Sequence, residues 1–547
     1  MLALSCRLAI GLVLAAMVVA ACRGGPSARD ATQAPSEQVL RVPTTEPPTL
    51  DPGLATDHTS LDIIWQLFEG LVAFDDQGNV YGVEAERWTV SDDGRTYTFQ
   101  LRDGLRWSDG HPVTAADYEY AWKRNIAPAT ASDYANVLYP VLNAQRIHKE
   151  GADPSTLGVR AVDDRTLVVQ LEQPAAYFLR LAATWTYYPL PRWAIERHGD
   201  RWTEAENIVT NGPFKLQAWR HNQELVLVRN DTYWGPRPTL ERAIFKVFPE
   251  GAEEQWVAAY EAGELDATTT NTPLPPAQAD RLRSDPRYQN EIRRFPASAT
   301  RFIVVNHRRP YLRDPRVRQA LGLAIDRERL LNDVLRRAGK PATSLQPEGI
   351  AGRKPDLWPT ENVQRARELL AEAGYPNGQG FPELTFTYNT ADVWKTLGQY
   401  LQQRWKETLN INVRLDNMEW KVFLKWRYEP GWTAQGDLYR GGWVSDFEDP
   451  YNWYNTLWDS AEDPTQFNGG WGNREYDALV RRARAELDPA ARVALYEQAE
   501  ALLARDYIHI PLFYDQYEVL VKPYVQNFVP SRVLGETPLT KIAIATR

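Results

Sequence analysis

The chain has 547 residues, of which 43% are apolar, so it is long enough to form several domains with large cores. Its formal net charge is −9, and no run of Lys or Arg follows a helix face, which excludes an electrostatic nucleic-acid footprint. Aromatic residues stand out, with 20 Trp and 26 Tyr. Such rings fill cores, and they also line pockets for peptides or sugars because they offer large contact area with few rotatable bonds.

The chain begins with a predicted signal peptide and a tether. The apolar run over residues 8–21 is too short to span a bilayer comfortably but suits a signal-peptide core, and it ends at Cys22. The letters "VAAC" resemble the bacterial lipoprotein box, which implies cleavage of residues 1–21 and a diacylglyceryl group on the Cys22 sulfur. A plain secretory signal with an incidental cysteine is the alternative. Residues 22–38 are polar and rich in Gly, Pro, Ser and Ala, which predicts a flexible lipidated tether.

The folded body mixes strands and helices. Alternation in "TYTFQLR" predicts a strand with Tyr97, Phe99 and Leu101 on one face, and "ELVLVRN" and "INVRL" predict two more strands. The Asp-Gly pairs at residues 93–94 and 109–110 predict turns. This mixture without a fixed repeat indicates an α/β or α+β protein with more than one lobe.

Helix starts are marked by caps. Thr114 and Asp117 form an N-cap pair that opens a helix with Tyr118, Ala121 and Trp122 inward. Asp-Pro pairs at 314–315 and 488–489 open two further helices, because proline in the first turn loses no hydrogen bond. The apolar spacing of these two helices predicts the buried positions Val317, Ala320, Leu321, Ala324, Val493, Tyr496, Ala499 and Leu503. The helix in "TENVQRARELLAEAGYPNG" is closed by Gly374.

The residues and motifs that enzymes use are largely missing from the sequence. It contains no G-x-x-x-x-G-K-[ST] loop and no G-x-S-x-G elbow, and none of its seven histidines forms an H-x-x-x-H pair. We therefore expect no metal and no cofactor. A secreted glycan hydrolase with two catalytic carboxylates stays open as the enzymatic alternative, although nothing in the sequence singles out its acid pair.

The stretch "AERWTVSDDGRTYTFQLRDGLRWSDGHPVTAADYEYAWKR" resembles the signature of the extracytoplasmic solute-binding proteins of peptide ABC transporters (family 5), and most closely the oligopeptide-binding branch. The resemblance continues through "NIVTNGPFKLQAW", "DPRVRQALGLAIDRE", "GGWVSDFEDP" and "IPLFYDQYEVLVKPYV", and so covers the chain from about residue 40 to its end. Much of this signature, including Trp88, Trp107 and the Asp-Gly turns, is expected to be scaffold.

The resemblance implies an α/β, two-lobed periplasmic-binding-protein-like (type II) fold with an extra inserted domain. The first lobe would combine residues 39–68, 194–297 and 513–547, the inserted domain would span 69–193, and the second lobe 298–512. It implies a monomeric, non-enzymatic receptor, lipid-anchored on the extracytoplasmic face of the cell membrane, that delivers oligopeptides to an ABC permease. Relatives that bind dipeptides, murein peptides, nickel chelates or haem leave the kind of solute open.

The same resemblance implies a ligand site around "GGWVSDFEDP". Asp446 matches the acid that takes the ligand's α-ammonium, and a carboxylate meets an ammonium with strong charge-assisted hydrogen bonds. If the stretch is extended, Gly442, Val444 and Asp446 share one face, and its backbone can pair with a peptide strand while glycine permits close approach.

The residues expected at the carboxylate end of the ligand match the family less specifically. Arg440 matches a position that can hold a peptide's carboxylate, for which a guanidinium is well suited; a lobe-stabilising salt bridge is the alternative. Arg308 and Arg309 are a second candidate pair, with surface solvation as the alternative. The remaining predicted site residues are Trp420 and Trp443, as walls of side-chain pockets or plain core, with Tyr134 and the loop Thr56–His58 along the cleft.

Overall fold

The protein is described here by a computed structural model that covers residues 37–75, 78–272, 274–428, 436–460, 467–533 and 535–546. The predicted signal peptide, the lipidation site Cys22 and the tether up to residue 36 lie outside the described residues. In the described parts, no helix combines the length and the apolar content that a bilayer crossing requires.

Three sheets organise the molecule. The first has four strands in the order Val39–Thr44, Arg242–Val247, Glu224–Arg229 and Phe214–Arg220, with one parallel and two antiparallel pairings. The second is antiparallel, in the order Ala85–Val90, Thr96–Leu101, Thr166–Gln170 and Val159–Asp163. The third is mixed, in the order Gly339–Pro341, His509–Leu520, Ile292–Val305, Leu438–Val444, Leu384–Asn389 and Val413–Met418.

Two long antiparallel strands of the third sheet, Ile292–Val305 and His509–Leu520, continue through the predicted lobe boundaries at 297/298 and 512/513. Their register shifts between Pro296 and Thr300. These boundaries therefore fall inside strands rather than in loops, and the division into lobes stays a prediction. Two short strand pairs complete the sheets: Val72–Phe74 with Val80–Gly82, and Val525–Gln526 with Ala543–Ile544.

Helices flank the sheets, and their starts follow local cap chemistry. Both halves of the predicted capping box at Thr114 and Asp117 are present, and Asp314 and Asp488 accept backbone N–H bonds as N-caps. The longer α-helices are His58–Leu67, Ala115–Ile126, Ala144–Glu150, Arg192–His198, Glu253–Glu261, Pro276–Ser284, Pro315–Leu323, Val363–Glu372, Asp392–Leu409, Trp420–Tyr428, Tyr451–Trp458, Arg474–Ala485 and Pro489–Asp506.

The predicted inward positions are buried with one exception. Tyr118, Ala121 and Trp122 have no exposed surface, whereas Val493 is only half-buried. The helix that carries Val493 buries Leu495 and Leu502 instead. Its buried face is therefore rotated about the helix axis relative to the face that the spacing predicts. The strand predicted at residues 411–415 begins at Val413 and runs on to Met418. The mixed α/β class is confirmed.

Candidate functional site

The strand Leu438–Val444 presents an open edge to a cavity. On one side all seven of its residues pair with Ile292–Val305. On the other side only Leu438 and Tyr439 pair, with the strand Leu384–Asn389. Among the described residues, no strand pairs with this second edge from Arg440 to Val444, so its backbone groups are available to an added strand.

The two glycines of this strand are explained by the neighbouring strand. A Cβ at Gly441 would lie 2.6 Å from Val304 Cγ2, and one at Gly442 would lie 2.9 Å from Arg301 Cδ. Glycine is therefore required to seat the side chains of the paired strand. The expectation that glycine serves close ligand approach is not needed to explain these positions.

Asp446 lies in the turn just after the strand, which ends at Val444, so the alternation of the strand does not extend to it. Its side chain is buried, with 6% exposure. The hydroxyl of Tyr134 donates to Asp446 Oδ2, and Asn452 Nδ2 donates to the same oxygen at 2.8 Å. The carboxylate is thus held by two neutral donors that converge on one oxygen.

Asn452 and Trp185 hold this arrangement in place. Asn452, on the buried helix Tyr451–Trp458, accepts bonds from the Asp446 amide at 2.9 Å and from Trp443 Nε1 at 3.0 Å. The ring of Tyr134 stacks on Trp185 with centroids 5.5 Å apart and planes 2° from parallel. Because one amide side chain fixes both Asp446 and Trp443, the acid and its aromatic neighbour are positioned together.

Asp446 is one of several buried carboxylates with neutral hydrogen-bond partners, and of these Asp446 and Asp57 line the cavity. Burial raises its pKa to about 6, and the hydrogen bonds from Tyr134 and Asn452 offset only part of that shift. Within the described part of the chain, no Arg, Lys or His forms an ion pair with this carboxylate. A buried carboxylate without a cation is energetically unfavourable, so a positive group that entered the cavity would stabilise the charged form of Asp446.

Arg440 occupies the other end of the strand in an aromatic box. Its guanidinium carbon lies 4.8 Å from the ring centre of Trp420 and 5.0 Å from those of Trp394 and Phe423. Its Nε donates to Asn389 Oδ1 at 2.7 Å. Burial, together with the charges of nearby arginines, lowers the pKa of Arg440 well below its usual range. Among the described residues no carboxylate lies within ion-pair distance, so the salt bridge offered as its alternative role is not found there.

The cavity has a volume of about 260 Å³ and carries charges of both signs between aromatic walls. All eight predicted ligand-site residues line it: Asp446, Gly442, Val444, Trp443, Arg440, Trp420, Tyr134 and His58. Their roles toward a ligand stay predictions. The charged side chains of the lining are Asp57, Glu250, Glu253, Asp446, Arg301, Arg337, Arg427 and Arg440, and its rings include Tyr134, Trp185, Trp256, Trp394, Trp420, Trp443, Phe467 and Tyr517.

The second candidate pair of arginines, and several cavity residues that the sequence did not indicate, differ from the prediction. Arg308 and Arg309 do not line the cavity; Arg308 is exposed, and Arg309 pairs with Asp437 at 2.9 Å, rather than being simply solvated. The sequence did not single out Asn452, Asn389, Trp394, Arg301, Arg337 or the pair Glu250 and Glu253. A polar residue on a helix as apolar as "YNWYNTLW" was the one available signal for Asn452. In the described parts of the chain, no group of three His, Cys, Asp or Glu residues could hold a metal ion.

Comparison with known proteins extends these observations. Residues 79–465 match the family described as "Bacterial extracellular solute-binding proteins, family 5 Middle". The chain is 34% identical over 548 residues to the periplasmic oligopeptide-binding protein OppA of Salmonella typhimurium, which covers 98% of this chain and 97% of the relative. It is 35% identical over 503 residues to the probable deoxycholate-binding periplasmic protein YgiS of Escherichia coli, covering 90% and 91%.

A solved structure gives the same result in three dimensions. Haemophilus influenzae OppA in complex with RPPGFSPFR superimposes with a TM-score of 0.85 at 30% identity, covering 94% of this chain and 100% of that one. The predicted α/β, two-lobed periplasmic-binding fold is thereby confirmed. Since the matched region spans well over half of its length, the chain belongs to the bacterial extracellular solute-binding proteins of family 5.

Proposed function

We propose that this protein is an extracytoplasmic receptor that binds oligopeptides in the cavity and delivers them, chemically unchanged, to an ABC permease. The observation that carries the proposal is Asp446, a buried carboxylate whose described partners are all neutral. A peptide's α-ammonium brings one positive charge and three donors. It can therefore form charge-assisted bonds with the carboxylate, above all with Oδ1, which no described hydrogen bond reaches.

The open backbone edge from Arg440 to Val444 supports a peptide rather than another cation. An extended peptide can add to this edge as a further strand, and main-chain hydrogen bonds give affinity without reading side chains. An ammonium at Asp446 would place the start of such a peptide beside Trp443 and Tyr134. The aromatic walls then offer contact area to side chains of many kinds, which suits a receptor for a class of peptides.

Arg440 would receive the carboxylate at the other end of a short peptide, or an acidic side chain of a longer one. Its guanidinium is held by Asn389 and by rings rather than by a described acid, so it retains donors for a bidentate bond. Trp420, which packs on Arg440, would contact the same part of the ligand. His58, at the start of the helix His58–Leu67, would border the cleft on the opposite side.

The names of the relatives mention different solutes, so we argue for a peptide ligand from the chemistry of the cavity. Deoxycholate has a carboxylate that Arg440 could hold, but it has no ammonium for Asp446 and no backbone for the open edge. Its binding would leave Asp446 buried without a cation. A free-amine peptide satisfies all three features, which is why the proposal commits to peptides.

Two lobes would close around the peptide. We assign residues 39–68, 194–297 and 513–547 to the first lobe, 69–193 to the inserted domain and 298–512 to the second lobe. The hydrogen bond between Tyr134 and Asp446 would then join the inserted domain to the second lobe. We also propose that Cys22 carries a lipid anchor; fatty-acid labelling that persists in Cys22→Ser would contradict this.

Calorimetry on the parent and Asp446→Asn, each with a peptide and its N-acetylated form, tests the proposal. A peptide identified by native mass spectrometry of the purified protein provides the sequence. The variant keeps the shape of the side chain but loses its charge, and removing one member of a buried charged pair costs about 2–5 kcal/mol. Free-amine binding should therefore weaken roughly thirtyfold to several thousandfold.

The acetylated peptide is the matched control. It should bind the parent poorly and lose little further in Asp446→Asn, because it brings no ammonium. Equal losses for both peptides would make Asp446 a structural acid and refute its role. Deoxycholate is titrated in parallel; tight binding of deoxycholate together with no peptide binding would overturn the proposed ligand class.

A further inference from the structure

The segment "EGAE" at residues 250–253 follows the strand Arg242–Val247 of the first sheet and touches the starts of two helices that follow strands of the third sheet. Glu250 Oε2 accepts from the Trp420 amide at 2.8 Å. Glu253 Oε1 accepts from the Asp392 amide at 3.1 Å. Each contact joins residues more than a hundred positions apart and lies at the border of the cavity.

Both receiving helices need these contacts. The helix Asp392–Leu409 has Ala391 at its N-cap and no side-chain cap of its own, and alanine is a poor residue at that position. The helix Trp420–Tyr428 is capped locally by Glu419, which accepts from Lys421 and Val422 at 3.1 Å but leaves the Trp420 amide. Because the first N–H groups of a helix have no partner within it, Glu253 and Glu250 supply acceptors that the local sequence lacks.

Gly251 lets the segment approach. It adopts φ +75°, which disfavours other residues, and a Cβ there would lie 3.1 Å from Thr390 Cγ2. A carboxylate at a helix N-terminus is also favoured by the helix dipole. Opposing this, burial together with the nearby Glu419 carboxylate raises the pKa of Glu250 to about 7, which disfavours the charged form of the Glu250 side chain at the helix terminus. A contact that must open and close in each transport cycle needs such a balance.

We infer that Glu250, Gly251 and Glu253 form a clasp, a closure device in which one lobe caps two helices of the other lobe when the cleft is shut, and so favours the closed state in the empty protein as well as around a ligand. The clasp rests on the proposed two-lobe function, and although its residues line the cavity, the hydrogen bonds that define it are made to the backbone of the protein. Glu250 also positions Trp420, whose ring covers Arg440. The clasp therefore adds affinity for every ligand that the closed state encloses, whatever its sequence.

The first test compares Glu250→Ala, Glu253→Ala and Glu419→Ala in calorimetry with a synthetic library of tetrapeptides that have free termini. Loss of a helix cap corresponds to about a three- to thirtyfold change in an equilibrium constant. Glu250→Ala and Glu253→Ala should each weaken binding by that factor. Glu419→Ala removes the local cap of the same helix but also the carboxylate that raises the pKa of Glu250, so it should not weaken binding by more than about twofold, and a loss equal to that of Glu250→Ala would overturn the clasp.

A second variant separates closure from helix stability. Ala391→Ser restores a local cap to the helix Asp392–Leu409. In Glu253→Ala/Ala391→Ser the melting temperature should match that of Ala391→Ser alone, while the affinity stays as low as in Glu253→Ala. Recovery of affinity in the double variant would show that Glu253 acts only on helix stability and would overturn the inference.

Hydrogen exchange tests the contacts without any ligand. The amides of Asp392 and Trp420 open their helices, so no acceptor within the helix protects them. In the empty protein they should exchange more slowly in the parent than in Glu253→Ala and Glu250→Ala, respectively. Unchanged exchange in both variants would overturn the clasp. A parent that binds no tetrapeptide but shows the exchange difference would contradict the proposed ligand and leave the clasp supported.

Discussion

Two buried aspartates have opposite surroundings: Asp446 lines the cavity, and Asp515 lies behind the cavity-lining residues Arg301 and Arg337. Asp515 accepts from Arg301 Nε at 2.8 Å and from Arg337 Nε and Nη2 at 2.9 and 2.8 Å. Burial alone would raise its pKa, yet the two guanidiniums hold the pKa below its usual value. Asp446 has Tyr134 and Asn452 instead, and its pKa is raised to about 6.

We propose that the difference separates a structural carboxylate, Asp515, from a ligand-binding one, Asp446. Asp515 is matched within the chain by two cations, so its ion pairs need nothing from outside and hold strands of the third sheet together. Asp446 is equally buried, but its described partners satisfy its hydrogen bonding only in part and its charge not at all. Strongly perturbed groups of this second kind are typical of binding sites.

The largest loss of folding stability is expected when Asp515, whose charge is balanced within the chain, is neutralised. Asp515→Asn leaves the half-buried guanidiniums of Arg301 and Arg337 beside each other without their counter-charge. Removing one partner of a buried ion pair costs about 3–5 kcal/mol. Urea unfolding of the empty protein should show this loss, with Asp446→Asn measured in the same assay as the matched aspartate. A loss below about 1 kcal/mol for Asp515→Asn would mean that the two carboxylates are not different in kind.

The second prediction uses pH on the empty protein. The folded pKa of Asp446, about 6, lies above the unfolded value of about 3.9, so the folded state binds the proton more tightly. The contribution of Asp446 to stability is therefore least unfavourable below about pH 4, and it worsens as pH rises through about 6. At pH 7.5 the empty Asp446→Asn variant should be more stable than the parent by up to about 3 kcal/mol.

Denaturant unfolding at pH 7.5 and at pH 4 measures this difference. The gain should shrink to about 0.5 kcal/mol at pH 4, where Asp446 is protonated in the folded state and about half-protonated in the unfolded state. Taking the difference between parent and variant cancels the titration of other buried acids such as Glu84 and Glu536. A variant that is less stable than the parent at pH 7.5 would show that the chain itself compensates the Asp446 charge.

Sequence patterns predicted what depends on neighbours along the chain. The capping box at Thr114, the Asp-Pro helix starts and the turn at Gly94 are local signals, and each is present. Val493 was placed inward because a spacing of three and four residues fits more than one rotation of a long helix. The site around Asp446 was found through the family resemblance, since its acid differs from its neighbours only in its surroundings.

The missed residues are defined by contacts across the fold. Glu253 caps a helix 139 residues away, so no local pattern could connect it to Ala391. Asn452 is one of three polar residues on an otherwise apolar helix, and although Asp446 and Trp443 are only six and nine residues away, their contacts with Asn452 depend on the turn between the strand and the helix. The pairing of Asp515 with Arg301 and Arg337 likewise depends on strand register that the sequence does not specify.

The smallest effect on affinity is expected from removing one hydroxyl group, that of Tyr134, which donates to Asp446. Tyr134→Phe removes a donor to Asp446 but keeps the ring stacked on Trp185. The hydroxyl lowers the pKa of Asp446, so its loss raises that pKa further and keeps the carboxyl protonated to higher pH. Free-amine peptide should bind about fivefold more weakly at pH 7.5, equivalent to about 1 kcal/mol.

The pH profile of peptide affinity measures this effect. Parent affinity should fall as pH drops through about 6, and in Tyr134→Phe the fall should begin at higher pH, because only ionised Asp446 attracts the ammonium. Tyr311→Phe is the matched control. The Tyr311 hydroxyl also donates to an aspartate, Asp437, at 2.6 Å, but neither residue lines the cavity. This variant should leave the profile unchanged. If Tyr134→Phe weakens binding equally at every pH, the hydroxyl only shapes the pocket and does not tune the charge of Asp446.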